Sequence, residues 1–482
     1  MQRIIYIIIG ICFRMTAPAQ DSLTIEVCRS MAVEHNRQLQ QAREQRAKAH
    51  HETVAMKANF LPKLDFHAMD IVNTTSGNIR MPSASLPIYS YNAQAGQFLP
   101  SVITDASGNV MGLSQYAEYP AMTLKYRMHN LLNASLSVMQ PIYMGGKISA
   151  GYTMTQIGQR IADENIRMTE SEVIVSTDEA YALAVKAREM TDVAKSYEAL
   201  LQELRKTVES AVRHGMRTRN DLMKVQVKLN QASLAITRAE NAHTLACMNL
   251  CQIIGLPLSS PIHVAKPDIT ALVIEEIMSA SDDNLQVLAR PEYAILREQA
   301  ELARQQLRIT CAEYLPNLAL FAAGGYSNGG KVTMDATNSL TGTQRIYDQT
   351  LIDQFSGSVG ITFSMPVFHF GERKGKIRSA KSSIRMAEIE IADKREKMTL
   401  ELAQAYNTLR EQLTASDIAR QSVEQAAENL RLSQSAYNSG VETLSDLLEA
   451  QSLWQSAMAD EIDARTQLIV ALSKWRRAAG KH

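Results

Sequence analysis

"SAYNSGVETLSDLLEAQ" occupies residues 435–451, and "SAVRHGMRTRNDLMKVQ" occupies residues 210–226. Seven of seventeen positions are identical: Ser210/Ser435, Ala211/Ala436, Gly215/Gly440, Thr218/Thr443, Asp221/Asp446, Leu222/Leu447 and Gln226/Gln451. Every match lies 225 residues apart. A glycine inside a helical pattern permits the positive φ at which a helix ends. Gly215 and Gly440 are therefore expected to end one long helix and begin its antiparallel partner.

The duplication extends well beyond this stretch. Pro141 pairs with Pro366 and Tyr181 with Tyr406 at the same offset. Upstream, "NFLPKL" (59–64) matches "EYLPNL" (313–318) and Arg43 matches Arg297, now 254 apart. The first copy thus carries 29 extra residues between these anchors. A period this long marks a duplicated domain, not a solenoid. The expected organisation is a first repeat over 20–254, a linker over 255–290 and a second repeat over 291–482.

Each copy reads in one order. A helical run (22–58 and 291–312) meets Leu-Pro, where a short extended segment starts. A polar stretch rich in Gly, Ser and Asn follows (74–130 and 327–355), read here as loop. A second extended segment ends at Pro141 or Pro366, and two long helical runs complete the copy.

The extended segments alternate with a period of two. In 131–143, Leu132, Ala134, Leu136 and Val138 alternate with Asn133, Ser135 and Ser137. In 356–368, Val359, Ile361, Phe363, Met365 and Val367 alternate with Ser358, Gly360, Thr362 and Ser364. Such alternation marks a strand with one apolar and one polar face. Leu64–Asn73 and Leu318–Tyr326 alternate less cleanly. About ten residues is the length with which a tilted strand crosses a bilayer. A soluble sandwich is the alternative, but four strands among so much helix are too few for one.

The helical runs are long. Lys147 to Val212 contains no proline, and Lys376 to Asn438 contains neither Gly nor Pro. At 1.5 Å per residue such a run extends roughly 100 Å. These lengths imply coiled-coil packing.

Bulk properties narrow the function. Lys+Arg and Asp+Glu both number 50, so the chain lacks the basic excess of a nucleic-acid binder. "MQRIIYIIIGICF" followed by Ala17-Pro18-Ala19 reads as a secretory leader cut after Ala19. An uncleaved anchor and a lipidated Cys12 are the alternatives. No long apolar stretch follows, so any membrane entry proceeds without transmembrane helices. Cys28, Cys247, Cys251 and Cys311 are too scattered for a disulfide framework. Cys247 and Cys251, one helical turn apart near His243, read as small residues on a packed face, and no metal site or cofactor is expected. There is no H-E-x-x-H, G-x-S-x-G or Walker A motif, and "GERKGK" (371–376) has the wrong spacing. No catalytic residue is expected.

These residues carry a resemblance. The leader, the duplication, the "FLP" and "YLP" strand starts, "QPIYMGGK", "MPVFHFGERKGKI" and the paired glycine tips resemble the TolC family of outer-membrane efflux proteins over nearly the whole mature chain. The resemblance implies a mixed α and β homotrimer. Each subunit would give four strands to a shared 12-stranded β-barrel in outer-membrane lipid, and the helices would form an α-helical coiled-coil tunnel through the periplasm. Residues 255–290 resemble the family's equatorial region. Oligomerisation also follows physically, because four strands cannot close a barrel and an open edge is not viable in lipid.

The resemblance further implies an exit duct in the outer membrane of a Gram-negative bacterium. It would be docked to a periplasmic adaptor and an inner-membrane RND or ABC pump. The alternative within the family is the channel of a type I protein or peptide secretion system. Outside it stand a periplasmic coiled-coil adaptor and a helical hydrolase. The tips would form the periplasmic constriction. Asp446 and Glu449, at i and i+3, match positions that form acidic rings, and a solvated acidic helix face is the alternative. Tyr437 matches a latch tyrosine. Glu442 stands where better-known members carry arginine, so a latch of reversed polarity, Glu442 with Arg217 or Arg219, is expected. Asp221 is in register with Asp446, but Lys224 stands opposite Glu449 in the alignment of copies, so the first tip is not an equivalent ring.

Overall fold

The computed structural model describes residues 23–72, 74–119, 121–128, 130–267, 270–278, 287–338 and 344–481. The leader expected over 1–19 lies outside these residues. The chain forms two compact units. Of the described residues, one unit comprises those within 55–149 and 309–373, and the other those within 23–54, 150–308 and 374–481.

The first unit is built from strands. β1 (Lys63–Val72), β10 (Asn130–Met144), β11 (Asn317–Asn338) and β12 (Gln344–Ser364) lie side by side in that order, all antiparallel. The register sorts their side chains. Phe66 faces Leu136, Val138 faces Ala322, and Ala322 faces Val359. Leu64, Phe66, Leu136, Leu320, Val359, Ile361 and Phe363 therefore share one face. That face is open, with Val359 81 % and Phe363 65 % exposed. The opposite face carries Ser135, Ser137, Ser327, Ser358 and Thr362. β1 and β12 are edges, each paired on one side only within this group.

Three expectations need correction here. The strands of the second copy are about twice as long as the alternation indicated, because β11 and β12 continue as a hairpin through 331–337 and 344–350. The stretch 74–130 is not loop. It contains β2 (Ser76–Met81) and β9 (Met122–Met128), and β9 joins the upper part of β11. Between them, β3 (Ala84–Pro87) and β8 (Tyr116–Tyr119) pair as a stem carrying two hairpins, β4–β5 (Tyr89–Asn92, Gln97–Pro100) and β6–β7 (Val102–Thr104, Val110–Leu113). Their junction is tied by the Ile88 amide to Gln115 O, the Ser101 amide to Ile88 O and the Ser114 amide to Ser101 O, at 2.8–3.2 Å. Finally, Pro141 does not end its strand. It sits at a bulge, and β10 runs on to Met144. A bulge is where a strand tolerates a residue without an amide hydrogen.

The second unit is helical. α1 (Ile25–His35) and α2 (Arg37–Lys57) break at Asn36, whose side chain donates to Ile253 O at 3.1 Å and accepts from the Gln38 amide at 2.8 Å. α3 (Lys147–Arg213) and α4 (Arg219–Ile254) form the first long hairpin. α5 (Thr270–Met278) lies in the linker, and α6 (Pro291–Ala312) opens the second copy. α7 (Glu372–Asn438) and α8 (Leu444–Ala478) form the second hairpin. α3 and α7 each run 67 residues, and neither contains proline.

Two apolar clusters hold this unit. One gathers Cys28, Tyr181, Leu250, Leu402, Leu472 and Trp475 from both copies. The Tyr181 hydroxyl lies 2.9 and 2.7 Å from the carbonyls of Leu23 and Ala265. Beside it, Asp178 is fully buried and takes two 2.8 Å bonds from the Arg29 guanidinium. Burial pushes the Cys28 thiol up to about 12, so it stays protonated. The second cluster lies at the tips, where Leu201, Leu204 and Val225 meet Leu444, Leu447 and Leu448.

Candidate functional site: the two helical tips

Both tips share one backbone closure and one capping arrangement. Gly215 has φ +73° and Gly440 φ +79°. The Gly215 amide donates to Val212 O and the Met216 amide to Ala211 O; the Gly440 amide donates to Tyr437 O and the Val441 amide to Ala436 O. This pair of bonds closes a helix through a left-handed residue. Two residues later Thr218 and Thr443 cap the next helix. The Asp221 amide donates to Thr218 Oγ1, and Asp221 accepts from the Thr218 amide and hydroxyl; Thr443 and Asp446 repeat the arrangement.

The acids at 221 and 446 thus have a local duty that the sequence reading missed. Its signal was present as Thr followed three residues later by Asp. The Thr443 hydroxyl and amide hold the Asp446 carboxyl below the usual aspartate range, and Thr218 does the same for Asp221. In the protomer Asp446 is therefore ionised at neutral pH.

The linkage has a definite sign. A depressed folded pKa supplies stability that is complete above the unfolded aspartate value of about 3.9. That stability is lost as pH falls through the lower folded value. Hydrogen-exchange protection of residues 443–451 should fall below about pH 4 in the native protein and show no such step in Asp446→Asn. Thr443→Ala should lower local protection by about 1 kcal/mol at neutral pH. Unchanged protection in both variants would remove the cap from the account.

The remaining candidates divide. Arg217 lies over the ring of Tyr437, 4.9 Å from its centroid, so the first tip reaches onto the second within one chain. Tyr437 is buried, and burial raises its phenol despite the nearby Arg217 charge. Glu442 does not close the reversed latch in the protomer. Among the described residues it forms no ion pair with Arg217 or Arg219, and its Oε2 is buried with no hydrogen-bond partner. The reason is geometric: the Arg217 guanidinium is engaged by the tyrosine face. Arg219 is exposed at the start of α4. Glu449 is exposed one turn beyond Asp446 and lines a groove between α4 and α8 with Lys224, Lys228, Met223 and Leu448. The sulfur of Cys247 lies 3.4 Å from His243 Nε2, and burial raises the thiols of Cys247 and Cys251.

The chain thus combines a sheet that has one apolar and one polar face with twin helical hairpins that have matched tips. The chain belongs to the outer membrane efflux protein family, whose model matches residues 88–256 and 289–481. It is 25 % identical over 277 residues to the alkaline protease secretion protein AprF of Pseudomonas aeruginosa. The match covers 57 % of this chain and 54 % of that protein. It is 21 % identical over 320 residues to the outer membrane protein TolC of Salmonella enteritidis, covering 65 % of this chain and 62 % of TolC. The matched region thus spans less than two thirds of either relative. The fold is similar to the CmeC outer membrane channel of Campylobacter jejuni, with TM-score 0.68 at 17 % identity, covering 95 % of this chain and 85 % of that one. It is also similar to VceC of Vibrio cholerae, with TM-score 0.66 at 14 % identity, covering 95 % and 96 %.

Proposed function

We propose that three copies form the exit duct of a tripartite efflux system. Small molecules would pass through it passively from periplasm to exterior, driven by an inner-membrane pump reached through a periplasmic adaptor. The observation that carries this reading is the two-faced four-stranded sheet with open edges. An apolar outer face needs lipid, and unpaired edges in lipid need further copies. The paired tips are the surface expected to meet the adaptor.

Export of a protein is the second reading, favoured by the match to a protease secretion protein. One experiment separates the two. Deleting the gene should raise intracellular accumulation of a cationic dye several-fold and leave the secreted proteome unchanged. Unchanged dye and a missing secreted protein would select the second reading.

Asp446 and Glu449 are proposed to set the cation preference of the constriction. Like charges from three copies near one axis produce a field far stronger than in bulk water. In planar bilayers, Asp446→Asn with Glu449→Gln should reduce the cation-to-anion permeability ratio severalfold. Unchanged selectivity would place the constriction elsewhere.

The region 84–119 should face the exterior. Protease added to intact cells should cut at the turns around Gly96 and Gly108, which join the two small hairpins. It should spare 160–250. Cleavage confined to permeabilised cells would contradict this orientation.

A further inference from the structure

The duplication fixes one pairing that a single chain cannot contain. Adding 254 to a β1 residue and 225 to a β10 residue gives their second-copy equivalents on β11 and β12. The first hairpin pairs Lys63 with Met139 and Val72 with Asn130. The mapped pairs are Asn317 with Ser364 and Tyr326 with Phe355, and both are observed. All ten pairs of the first hairpin map without a slip onto observed pairs of the second. The two copies therefore share one register, and the mapping can be applied to the junction between them.

That junction is β10 against β11, with Val138 opposite Ala322 and Leu136 opposite Gly324. Its image is β12 against β1. Among the described residues neither β12 nor β1 has a second partner, and the four strands do not close on themselves, so the image is realised between copies. We infer that β12 of one copy pairs antiparallel with β1 of the next, with Phe363 opposite Ala68 and Ile361 opposite Asp70. This rests on the oligomeric-channel reading above and adds to it the register and the contact residues.

Burial at the sheet's helical end supports the same image independently. Ala312 is 2 % exposed and Leu315 is half-buried, whereas their first-copy equivalents Ala58 and Leu61 are both exposed, Leu61 by 60 %. The second-copy segment is covered by the turn after β10: a Cβ on Gly145 would stand 2.7 Å from Ala312 O and 2.8 Å from Leu315 Cβ. The mapped cover is the turn after β12, and the mapped contacts are Ala58 and Leu61 of the next copy. Identity is kept at both, since Ala312 maps to Ala58 and Leu315 to Leu61.

One residue departs from the image and says how. Gly145, at φ +60°, is in register with Phe370, at φ +37°, the one non-glycine with positive φ among the described residues. A left-handed phenylalanine is strained, and its ring is 92 % exposed in the single chain. At Gly145 no side chain fits; at 370 a large one is kept against a conformational cost. The junction between copies is therefore wider at this end than the internal junction. The Phe370 ring, edge-on to Phe368 at 4.7 Å, fills the space over Ala58 and Leu61.

Cysteine cross-linking in native outer membranes tests the register. Phe363→Cys with Ala68→Cys should yield covalently joined copies under mild oxidation or a short bis-thiol reagent, several-fold more than either single variant. Residues directly opposite have Cβ atoms about 5 Å apart. Phe363→Cys with Phe66→Cys, or with Asp70→Cys, should yield little. A second test uses Phe370→Gly, which should relieve the strain yet lower the temperature at which the oligomer dissociates. Preferential cross-linking to position 66 or 70 would overturn the register. So would no cross-link at any pair in a protein that an amine-reactive reagent still captures as a trimer. A protein that no reagent captures as an oligomer would overturn the channel reading itself.

Discussion

Val359→Arg is expected to eliminate assembled protein from the outer membrane. Val359 lies at the centre of the alternating apolar row Phe355–Phe363 of β12, opposite Ala322, on the face shared with Phe66, Leu136 and Phe363. In the barrel reading that position sits near the middle of the hydrocarbon. An arginine on the lipid face there costs about 2–4 kcal/mol, and a closed barrel of three copies carries the cost three times. A strand edge that must pair between copies leaves little else to offset it. Ser358→Arg is the matched control, one residue away on the polar face, where a channel interior tolerates charge. The measurement is the amount of oligomer extracted by detergent from washed outer membranes. Loss in Val359→Arg with near-normal yield in Ser358→Arg is expected. Equal yields would mean that the apolar face does not meet lipid.

Asp178→Ala is expected to give the largest loss in the helical unit. Its carboxylate is fully buried on α3 and holds the Arg29 guanidinium of α1 by two 2.8 Å bonds. Removing one partner of a buried pair leaves the other charge without compensation, a cost of about 3–5 kcal/mol. α1 is only 11 residues long and has few other long-range anchors of this strength. The variant should still insert, since the strands are untouched. Its helical signal in far-UV circular dichroism should melt well below that of the native protein. Glu428→Ala, which removes an exposed i,i+3 pair with Arg431, should shift the same transition by little. A comparable shift in both would show that the buried pair has no special weight.

Much of this architecture was legible in residues whose physics repeats. Glycine at 215 and 440, the Leu-Pro strand starts and the alternation through Val359, Ile361 and Phe363 each constrain the backbone locally, and each occurs twice. The upper parts of β11 and β12 were missed although Val332, Met334 and Ala336 alternate with Lys331, Thr333 and Asp335, because Gly329-Gly330 before them and the Gly, Ser and Asn content of 327–355 read as loop. What holds them is backbone pairing to 344–350 and to β9. The small hairpins of 84–119 were missed for a related reason. Their Gly, Ser and Asn content describes the turns, not the short strands between them.

At the tips, the candidates were legible as residues but not as contacts. Asp446 was seen as a charge, whereas its first partner is the threonine three residues before it. The pairing of Arg217 with Tyr437 joins positions 220 residues apart in sequence, and no local pattern signals it. Glu442 and Arg217 have complementary charges, yet the tyrosine face takes the guanidinium.

The central claim is that this chain is one subunit of a membrane-embedded trimeric channel. Native mass spectrometry of the protein released from outer membranes in detergent tests it most directly. The account predicts a complex of three mature chains that survives only while detergent or lipid is present. A monodisperse single chain, stable in plain buffer, would contradict it.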